Sequence, residues 1–511
     1  MKRFFAGLLV LVLLLGACAC RANDTPTSTL SEDPLTQQNG IENLTVAYNR
    51  EDTLNPFAAK TERNLQLSNL LYETPVVIDG NFMPKEALLA VKMPDPTHIM
   101  ATVRAGAKFS DGTAVTAGDV QYSFEQAKNS ENYKTLLANI SAVKVKGREL
   151  TFTLAKADIH ADANLVFPVI KRSSDTTKAA RAPIGSGPYA YDAEEAVLIA
   201  NPYYGKTAAF ATIGLKHLVN ETEVLQALEN GSIGYMYNDL NGEIPRTMAK
   251  TCAVDVNRLT FLGVNAAKPL TTDPAFRKAL SAAVNRTALT ANSYTGRALP
   301  ATSPFHPKWK MATEISVTSA NDNTALAKQL LADALKNPVT AATTTAVTTT
   351  TAGTTATTAA PADTALRDLT LLYVAGNTSR ESAVKMLTSA IKNIGVTVTP
   401  IPLSYTDYIT RLQSGDFDLY LGEIQLLPSM SLDVFLNGGA ACYGIVAPKT
   451  AAAYNAWVRS EGELQAFTDA FSEEMPFIPL CWRQGLAAYS HAFSSVTPLA
   501  FHPYNGISEW K

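Results

Sequence analysis

The residue types that usually carry enzymatic chemistry occur in this chain, but their spacing matches no familiar catalytic or metal-binding motif. The six histidines never recur four residues apart, so there is no H-E-x-x-H zinc helix, and no G-x-S-x-G nucleophile turn occurs. Asp416 and Asp418 could be paired carboxylates, but at the start of a strand such residues commonly solvate its end. The segment 185–189 resembles a glycine-rich phosphate loop, yet Pro188 and Tyr189 replace the following Lys and Ser or Thr, so we interpret it as a tight structural turn. The sequence therefore predicts a protein that is not an enzyme and holds no metal or other cofactor.

The elements that would position any site alternate irregularly between strand and helix. Strand patterns cover residues 44–48, 98–103, 150–154 and 369–374, and helical patterns cover residues 64–72, 116–126, 221–229 and 326–335. In the second of these helices, Thr116 is placed to act as the N-cap and Asp119 occupies the third helical position. The alternation favours mixed α/β lobes, and 511 residues are too many for a single core.

Charge and cysteine content exclude further classes of protein. The net charge is −3 without a concentrated Lys/Arg cluster, which argues against nucleic acid as a partner. Apart from Cys18, the cysteines are Cys20, Cys252, Cys442 and Cys481, and they show neither a zinc spacing nor a disulfide framework. A single bridge between Cys442 and Cys481 and a pair of buried free thiols both fit this pattern.

The first eighteen residues have the pattern of a lipoprotein leader. Lys2 and Arg3 precede the apolar run 4–15, and Leu15-Gly16-Ala17-Cys18 resembles a bacterial lipobox. We expect residues 1–17 to be a signal peptide and residues 18–43 to be a flexible tether with a diacylglycerol on Cys18. This arrangement would place the protein on the outer face of the cytoplasmic membrane. An ordinary signal peptide with an incidental Cys18 is the alternative, and the apolar run is shorter than a membrane span.

A second segment of unusual composition lies late in the chain. Residues 338–364 are almost entirely Thr and Ala and have no apolar pattern to offset their ordering entropy. We interpret this segment as a disordered surface insertion within one lobe, with a domain linker as the alternative.

Several motifs together resemble the family 5 extracellular solute-binding proteins of ABC transporters, the peptide- and nickel-binding group. The most specific is the stretch 103–125, which is similar to the family signature R-x-G-x-K-F-x-D-G-x-x-x-x-A-x-D-V-x-x-S-x-E in order and spacing. Leu54-Asn55-Pro56, the turn 185–189 and the stretch 274–286 also match family motifs. These residues look structural: Gly106 and Gly112 suit special backbone angles, and Arg277 and Arg286 would solvate or pair along a helix.

The resemblance implies a two-lobed fold like that of the periplasmic binding proteins, of the cluster C type with an extra subdomain in the first lobe. Lobe I would comprise residues 44–258, with the subdomain at about 73–184, and would be completed by residues 479–511. Lobe II would comprise residues 259–478. The implied function is capture of an oligopeptide or related solute between the lobes, by a monomer that delivers it to ABC permease subunits.

Candidate ligand-binding residues follow from the same resemblance. Peptide-binding members hold the peptide's amino terminus with an acidic residue after a strand of the form F-D-L-x-L-x-G-W. Here Phe417 to Gly422 match, and Glu423 stands where the Trp would be, so Glu423 could pair with a ligand ammonium or be a structural carboxylate. The other candidates around this cleft are Gly422, Tyr48, Tyr443, Gly444, Trp482 and Arg483. Core packing is the alternative for Tyr443 and Trp482, and an ion pair within the protein is the alternative for Arg483.

Two other functions compete with solute capture. A surface sensor or adhesin could retain the binding fold without a transporter, and the Thr/Ala segment is compatible with that hypothesis. A secreted hydrolase is disfavoured because no nucleophile motif is present.

Overall fold

The computed structural model describes residues 43–238, 246–317, 320–336 and 368–510. The expected leader, Cys18, the tether and the Thr/Ala segment 338–364 lie outside these ranges. Within the described ranges, no helix is long and apolar enough to cross a membrane.

The described strands are β1 (Leu44–Tyr48), β2 (Val76–Ile78), β3 (Pro84–Glu86), β4 (Leu89–Asp95), β5 (His98–Val103), β6 (Ile140–Lys146), β7 (Glu149–Leu154), β8 (Tyr189–Asp192), β9 (Val197–Ala200), β10 (Thr212–His217), β11 (Tyr235–Asn238), β12 (Lys250–Val264), β13 (Ala298–Pro300), β14 (Leu369–Val374), β15 (Val398–Leu403), β16 (Leu419–Gln425) and β17 (Phe477–Tyr489).

The described helices are α1 (Glu62–Gln66), α2 (Ser68–Leu71), α3 (Ala117–Asn129), α4 (Glu221–Glu229), α5 (Pro274–Ala283), α6 (Arg286–Ser293), α7 (Thr324–Lys336), α8 (Thr378–Asn393), α9 (Tyr405–Ser414), α10 (Asp433–Leu436), α11 (Pro448–Val458) and α12 (Leu464–Glu474). Short 3₁₀ helices occur at Ala161–Asn164, Arg172–Ser174, Lys310–Glu314 and Ile507–Glu509.

One mixed sheet joins most of the described strands. Its order is β15-β14-β16-β12-β17-β11-β1-β10-β9-β8, and β13 pairs with β17 at its side. The pairs β14/β15, β14/β16, β1/β10 and β1/β11 are parallel, and the long pair β12/β17 is antiparallel. A separate sheet of order β4-β5-β7-β6 and the hairpin β2-β3 lie within residues 76–154.

The buried side chains fall into three large clusters around these sheets. The first contains residues of β1, α2 and β11 together with the C-terminal segment 493–510. The second lies around β4 to β7 and α3. The third contains α5 to α8, β14, β16, α11 and α12. We call the parts built on the first two clusters the first lobe and the part built on the third the second lobe.

Strands β12 and β17 connect the two lobes. Val254 and Val256 of β12 pack in the first lobe, whereas its residues from Leu259 onward pack in the second. Between these positions the β12/β17 register shifts from Asp255 to Arg258, which is a β-bulge. Asn257 lies in the bulge, fully buried, with a left-handed φ of 51°. The backbone therefore bends at the point where it passes from one lobe to the other.

Local sequence signals account for many of these elements. The predicted strands 44–48, 98–103 and 369–374 and the predicted helix 221–229 have the bounds that the structure shows. Helix α3 begins with the expected capping box, in which the Thr116 side chain accepts from the Asp119 N–H and the Asp119 carboxylate accepts from the Thr116 N–H. Gly106 and Gly112 have φ values of +76° and +82°, as their motif predicts.

The turn 185–189 is structural, as predicted. The Gly187 N–H donates to the Leu71 carbonyl (3.0 Å). A Cβ at Gly185 would lie 2.0 Å from the Leu71 oxygen, and one at Gly187 would lie 2.5 Å from the Leu71 carbonyl carbon. Glycine is required because two backbone segments touch here, and this packing leaves no space for a phosphate.

The prediction for Arg277 and Arg286 was wrong, because neither side chain is solvated or paired along its helix. Arg277 is 2% exposed and donates to the carbonyls of Thr271, Thr272, Glu474 and Met475. Arg286 is 0% exposed and donates to the carbonyls of Pro479 and Ser281 and to the Ser281 hydroxyl. Both guanidinium groups bind backbone oxygens at the ends of neighbouring elements.

The described cysteines are free thiols. Cys481 is fully buried, and Cys252 and Cys442 are partly buried. Of the two alternatives for Cys442 and Cys481, the structure shows the free thiols. Burial raises the pKa of the Cys481 thiol to about 12, so this group stays protonated and unreactive at neutral pH.

Candidate ligand-binding cleft

A cavity of about 470 Å³ lies between the two lobes, and we call it the larger cavity. The first lobe contributes α1, α2, the segment after α3 and the C-terminal segment to its walls. The second lobe contributes the turn Gln425–Pro428, which begins at the last residue of β16. The lining residues are Glu62, Leu65, Gln66, Ser68, Asn69, Thr74, Asn132, Tyr133, Thr135, Leu136, Val166, Pro168, Tyr237, Val256, Gln425, Leu426, Leu427, Pro428, Ala500, Phe501 and Pro503.

The turn Gln425–Pro428 is held by the bulge between the lobes. The Asn257 side-chain amide donates to the carbonyls of Leu426 (3.0 Å) and Leu427 (3.2 Å). The Leu426 N–H in turn donates to the Asn257 carbonyl (3.0 Å). Directly after the turn, the Ser429 N–H donates to the side chain of Asn164 in the first lobe (3.2 Å). The wall supplied by the second lobe is thus bound both to the connecting strand and to the opposite lobe.

The lining of the larger cavity is almost neutral. Among the lining residues, only Glu62 carries a formal charge, and the others are amides, hydroxyls and apolar side chains. Several amides hold the walls in place: Asn132 donates to the carbonyls of Pro56 and Ala59, and Asn69 donates to that of Phe501. An apolar cavity with a few fixed polar groups suits a ligand that combines apolar groups with neutral hydrogen-bonding groups, as a peptide segment does.

Glu423 and Arg483, both predicted ligand-binding residues, lie together in this structure. Arg483 Nη1 is 2.8 Å from Glu423 Oε2, and Arg258 Nη1 is 3.7 Å from Glu423 Oε1. The Thr260 hydroxyl also donates to Glu423 (3.3 Å), and Arg483 stacks 4.6 Å above the Tyr294 ring. A ligand ammonium at Glu423 would have to compete with two arginines that already balance its charge.

The other predicted residues lie in different surroundings. Tyr443 is partly buried and packs edge-on against Tyr420, and Gly444 has a φ of +68° against the backbone of Asn265. Gly422 lies under the Phe261 ring, which a Cβ would approach to 2.3 Å.

Tyr48 and Trp482 are core residues in this structure. Tyr48 is 5% exposed in the first lobe, and Trp482 is fully buried beside His306 in the second. Neither residue lines the larger cavity, and the same holds for the other five candidates. Their assignment as ligand-binding residues stays a prediction.

The residues that do line the cavity carry little signal in the sequence. Leu426, Leu427 and Pro428 come only a few residues after Glu423, but they have no polar group that would draw attention. Gln66 and Asn69 lie within the predicted helical pattern 64–72. Its apolar spacing predicts which face is buried, but it does not predict what the polar side chains contact. The nearest usable signal is the strand motif at 417–422, which Glu423 and Ile424 separate from the turn.

Two lobes joined by bent central strands, with a cavity between them, define a protein that encloses a small ligand. The sequence model described as "Bacterial extracellular solute-binding proteins, family 5 Middle" matches residues 86–439. The chain therefore belongs to the family 5 bacterial extracellular solute-binding proteins. Members of this family bind solutes rather than catalyse reactions, in agreement with the prediction that the protein is not an enzyme.

Individual relatives are more distant. Protein XP55 of Streptomyces lividans is 28% identical over 246 residues, which cover 42% of this chain and 44% of that protein. The chain thus aligns with less than half the length of this curated relative.

Solved structures share the fold over nearly the whole chain. The murein tripeptide binding protein MppA, in its unliganded open form, superposes with a TM-score of 0.72 at 18% identity and covers 90% of this chain and 95% of its own. A nickel ABC transporter protein from Bacillus halodurans gives a TM-score of 0.73 at 17% identity, with 92% and 99% covered. These likenesses confirm the predicted two-lobed α/β fold of the periplasmic-binding-protein type.

Nickel would need a ligand cluster or a chelator. Within the described ranges, no group of three or more His, Cys, Asp or Glu side chains is arranged to hold a metal ion.

Proposed function

We propose that this protein captures an oligopeptide or a related peptide-like solute in the larger cavity and delivers it to the permease subunits of an ABC importer. It acts as a monomer on the outer face of the cytoplasmic membrane, attached through a lipid on Cys18. The observation that supports the ligand class is the nearly neutral, amide-containing and apolar lining of a 470 Å³ cavity between two lobes. Such a lining can bind a peptide backbone without demanding particular side chains.

The direct test is to identify what the protein binds. Mass spectrometry of ligands co-purified with the native protein, followed by calorimetric titration of the purified compounds, should give peptides or peptide-like solutes. Uptake of the same compound by cells should be lost when the gene is deleted. A ligand without peptide-like groups, or normal uptake in the deletion strain, would contradict the proposal.

A bulky side chain at the cavity rim should block binding without harming the fold. Thr135 is exposed and lines the larger cavity, so Thr135→Trp adds an indole there without removing any buried group. We expect affinity for the co-purified ligand to fall at least tenfold, as measured by titration calorimetry, with little change in Tm. Thr406→Trp, at an exposed position of α9 outside this cavity, is the matched control and should bind normally. Unchanged affinity in Thr135→Trp would remove the larger cavity as the binding site.

The lipid anchor can be tested separately. If Cys18 carries a diacylglycerol, Cys18→Ala should move the protein from the membrane fraction to the soluble fraction, because each buried CH₂ of the lipid contributes about 0.8 kcal/mol to membrane binding. Cys20→Ala is the control and should leave the distribution unchanged. Immunoblots of fractionated cells that show the Cys18→Ala protein still in the membrane would contradict this anchor.

A further inference from the structure

A second cavity of about 250 Å³ adjoins the larger one, and we call it the smaller cavity. The two cavities share Thr135 and Leu427 as lining residues, so a ligand can extend from one into the other. The smaller cavity differs in chemistry, because Asp158 and Asp433 both line it.

Asp158 is a buried carboxylate with an unused oxygen. It is only 9% exposed, in the segment between β7 and the first 3₁₀ helix. The His160 N–H donates to Asp158 Oδ1 (2.9 Å). No hydrogen-bond donor among the described residues reaches Oδ2. Burying a carboxylate that is only partly hydrogen-bonded is unfavourable, so a donor that reaches this oxygen would stabilise the charged group.

Asp433 lies on the second lobe, at the start of α10. Its Oδ1 accepts from the Asn437 side chain (2.7 Å), and its Oδ2 is 3.6 Å from Lys156 Nζ. The side chains of Lys156 and Asp433 are 64% and 38% exposed, so this ion pair is screened by water and weak. It therefore leaves much of the negative charge of the cavity unbalanced.

The remaining polar groups of the smaller cavity do not favour an anion. Asn139 donates to the Lys156 carbonyl (3.0 Å) and accepts from the Lys156 N–H (2.9 Å). The Tyr454 hydroxyl is engaged by the Leu432 N–H (3.0 Å) and the Ser431 hydroxyl (3.1 Å). Burial, together with the smaller effect of the negative charges of Asp433 and Asp162, raises the pKa of Asp158 to about 7.

We propose that the smaller cavity is a subsite for a positively charged group of the ligand, a primary ammonium or a guanidinium, held between Asp158 of the first lobe and Asp433 of the second. This inference deepens the proposed function and rests on it: the neutral part of the solute occupies the larger cavity, and its cation occupies the smaller one. Charge-assisted hydrogen bonds from the cation satisfy Asp158 Oδ2 and link the two lobes. The cation can be the amino terminus of a peptide or a Lys or Arg side chain.

Three peptides distinguish these sources in calorimetric titrations of the full-length protein. They are tetraalanine amide with a free amino group, N-acetyl-tetraalanine amide and N-acetyl-lysyl-trialanine amide, which carry no C-terminal charge. We expect at least one of the two cationic peptides to bind about ten- to a hundredfold more tightly than the neutral one. If tetraalanine amide binds more tightly than the neutral peptide, the bound cation is the amino terminus. If the lysyl peptide binds more tightly, the bound cation is the side-chain ammonium.

Substitutions in the smaller cavity test whether it causes the preference for cationic peptides. Asp158→Asn keeps the acceptor for the His160 N–H and should abolish the preference for cationic peptides, and Asp433→Asn should reduce it. Asp416→Asn removes a 68% exposed carboxylate of the Arg411 ion pair, lies outside the smaller cavity, and should keep the full preference. Equal binding of all three peptides to the wild-type protein, or an unchanged preference in Asp158→Asn, would overturn the subsite.

A smaller probe separates this subsite from the proposed peptide function. Butylammonium and its neutral analogue butanol are compared by thermal shift at pH 8. If no peptide binds but butylammonium alone raises Tm, and Asp158→Asn removes that rise, the subsite stands and peptide capture is wrong. If neither the peptides nor butylammonium shows a preference for the cation, the subsite is wrong.

Discussion

Arg277→Met is expected to destabilise the protein by on the order of 3–5 kcal/mol, enough to leave much of it unfolded at physiological temperature. Methionine fills a similar volume but donates no hydrogen bond. The carbonyls of Thr271, Thr272, Glu474 and Met475 would each lose a donor in a site that is 2% exposed. An unsatisfied buried carbonyl costs about 1–3 kcal/mol, and relaxation of the loops makes the sum smaller than four separate losses. Urea unfolding followed by circular dichroism measures this change.

The control for Arg277 is an arginine at the surface. Arg411→Met removes an ion pair with Asp416, whose side chain is 68% exposed, and should cost less than about 1 kcal/mol. If Arg277→Met were as mild as Arg411→Met, the buried guanidinium would not be the support of these carbonyls.

Asp158→Asn is expected to make the protein more stable at pH 8 but not at pH 4. The pKa of Asp158 is 3.8 in an unfolded chain and about 7 in the folded protein, mainly because of burial. Below pH 4 both states are protonated and the group has no effect. As the pH rises from 4 to 7, the unfolded chain loses its proton first, so stability is lost through this group. Above pH 7 the loss is complete, at roughly 4 kcal/mol for about three pH units.

Asparagine cannot ionise, so the variant avoids this loss. Thermal melts of both proteins between pH 4 and 8 should show a difference in Tm that grows with pH in favour of Asp158→Asn. Asp433, Asp162, Lys156 and His160 surround the group and remain the same in both proteins, so their own titrations largely cancel in the difference. Asp416→Asn should show no such trend. A difference in Tm that is independent of pH would mean that Asp158 ionises normally.

Short-range patterns in the sequence predicted the elements well. The strand 44–48 and the helix 221–229 were predicted because alternation, apolar spacing and capping residues are local properties. The signature 103–125 identified the fold for a similar reason: its glycines and its capping box are fixed by local backbone geometry.

The site was much harder to predict, because its walls come from segments far apart in the chain. The register of β16 against β12 places Glu423 opposite Thr260 and within hydrogen-bonding distance of Arg483. No pattern within residues 417–425 contains that information. No sequence pattern identifies Asp158, because it differs from other aspartates only in its burial in the folded protein. Leu427 is held in the cavity wall by a hydrogen bond from Asn257, which lies 170 residues away in the chain.

The position of β17 in the large sheet has a consequence for how the chain folds. Residues 477–489 form the last of the described strands in sequence order, yet they lie inside the sheet between β12 and β11. The first lobe also takes Phe493, Tyr504 and Trp510 into its core. The first lobe therefore cannot complete its sheet or its core until residues 477–510 are available to pair and pack. Contacts of such long range make folding slow, so the first lobe is the part of the chain that should reach its native state last.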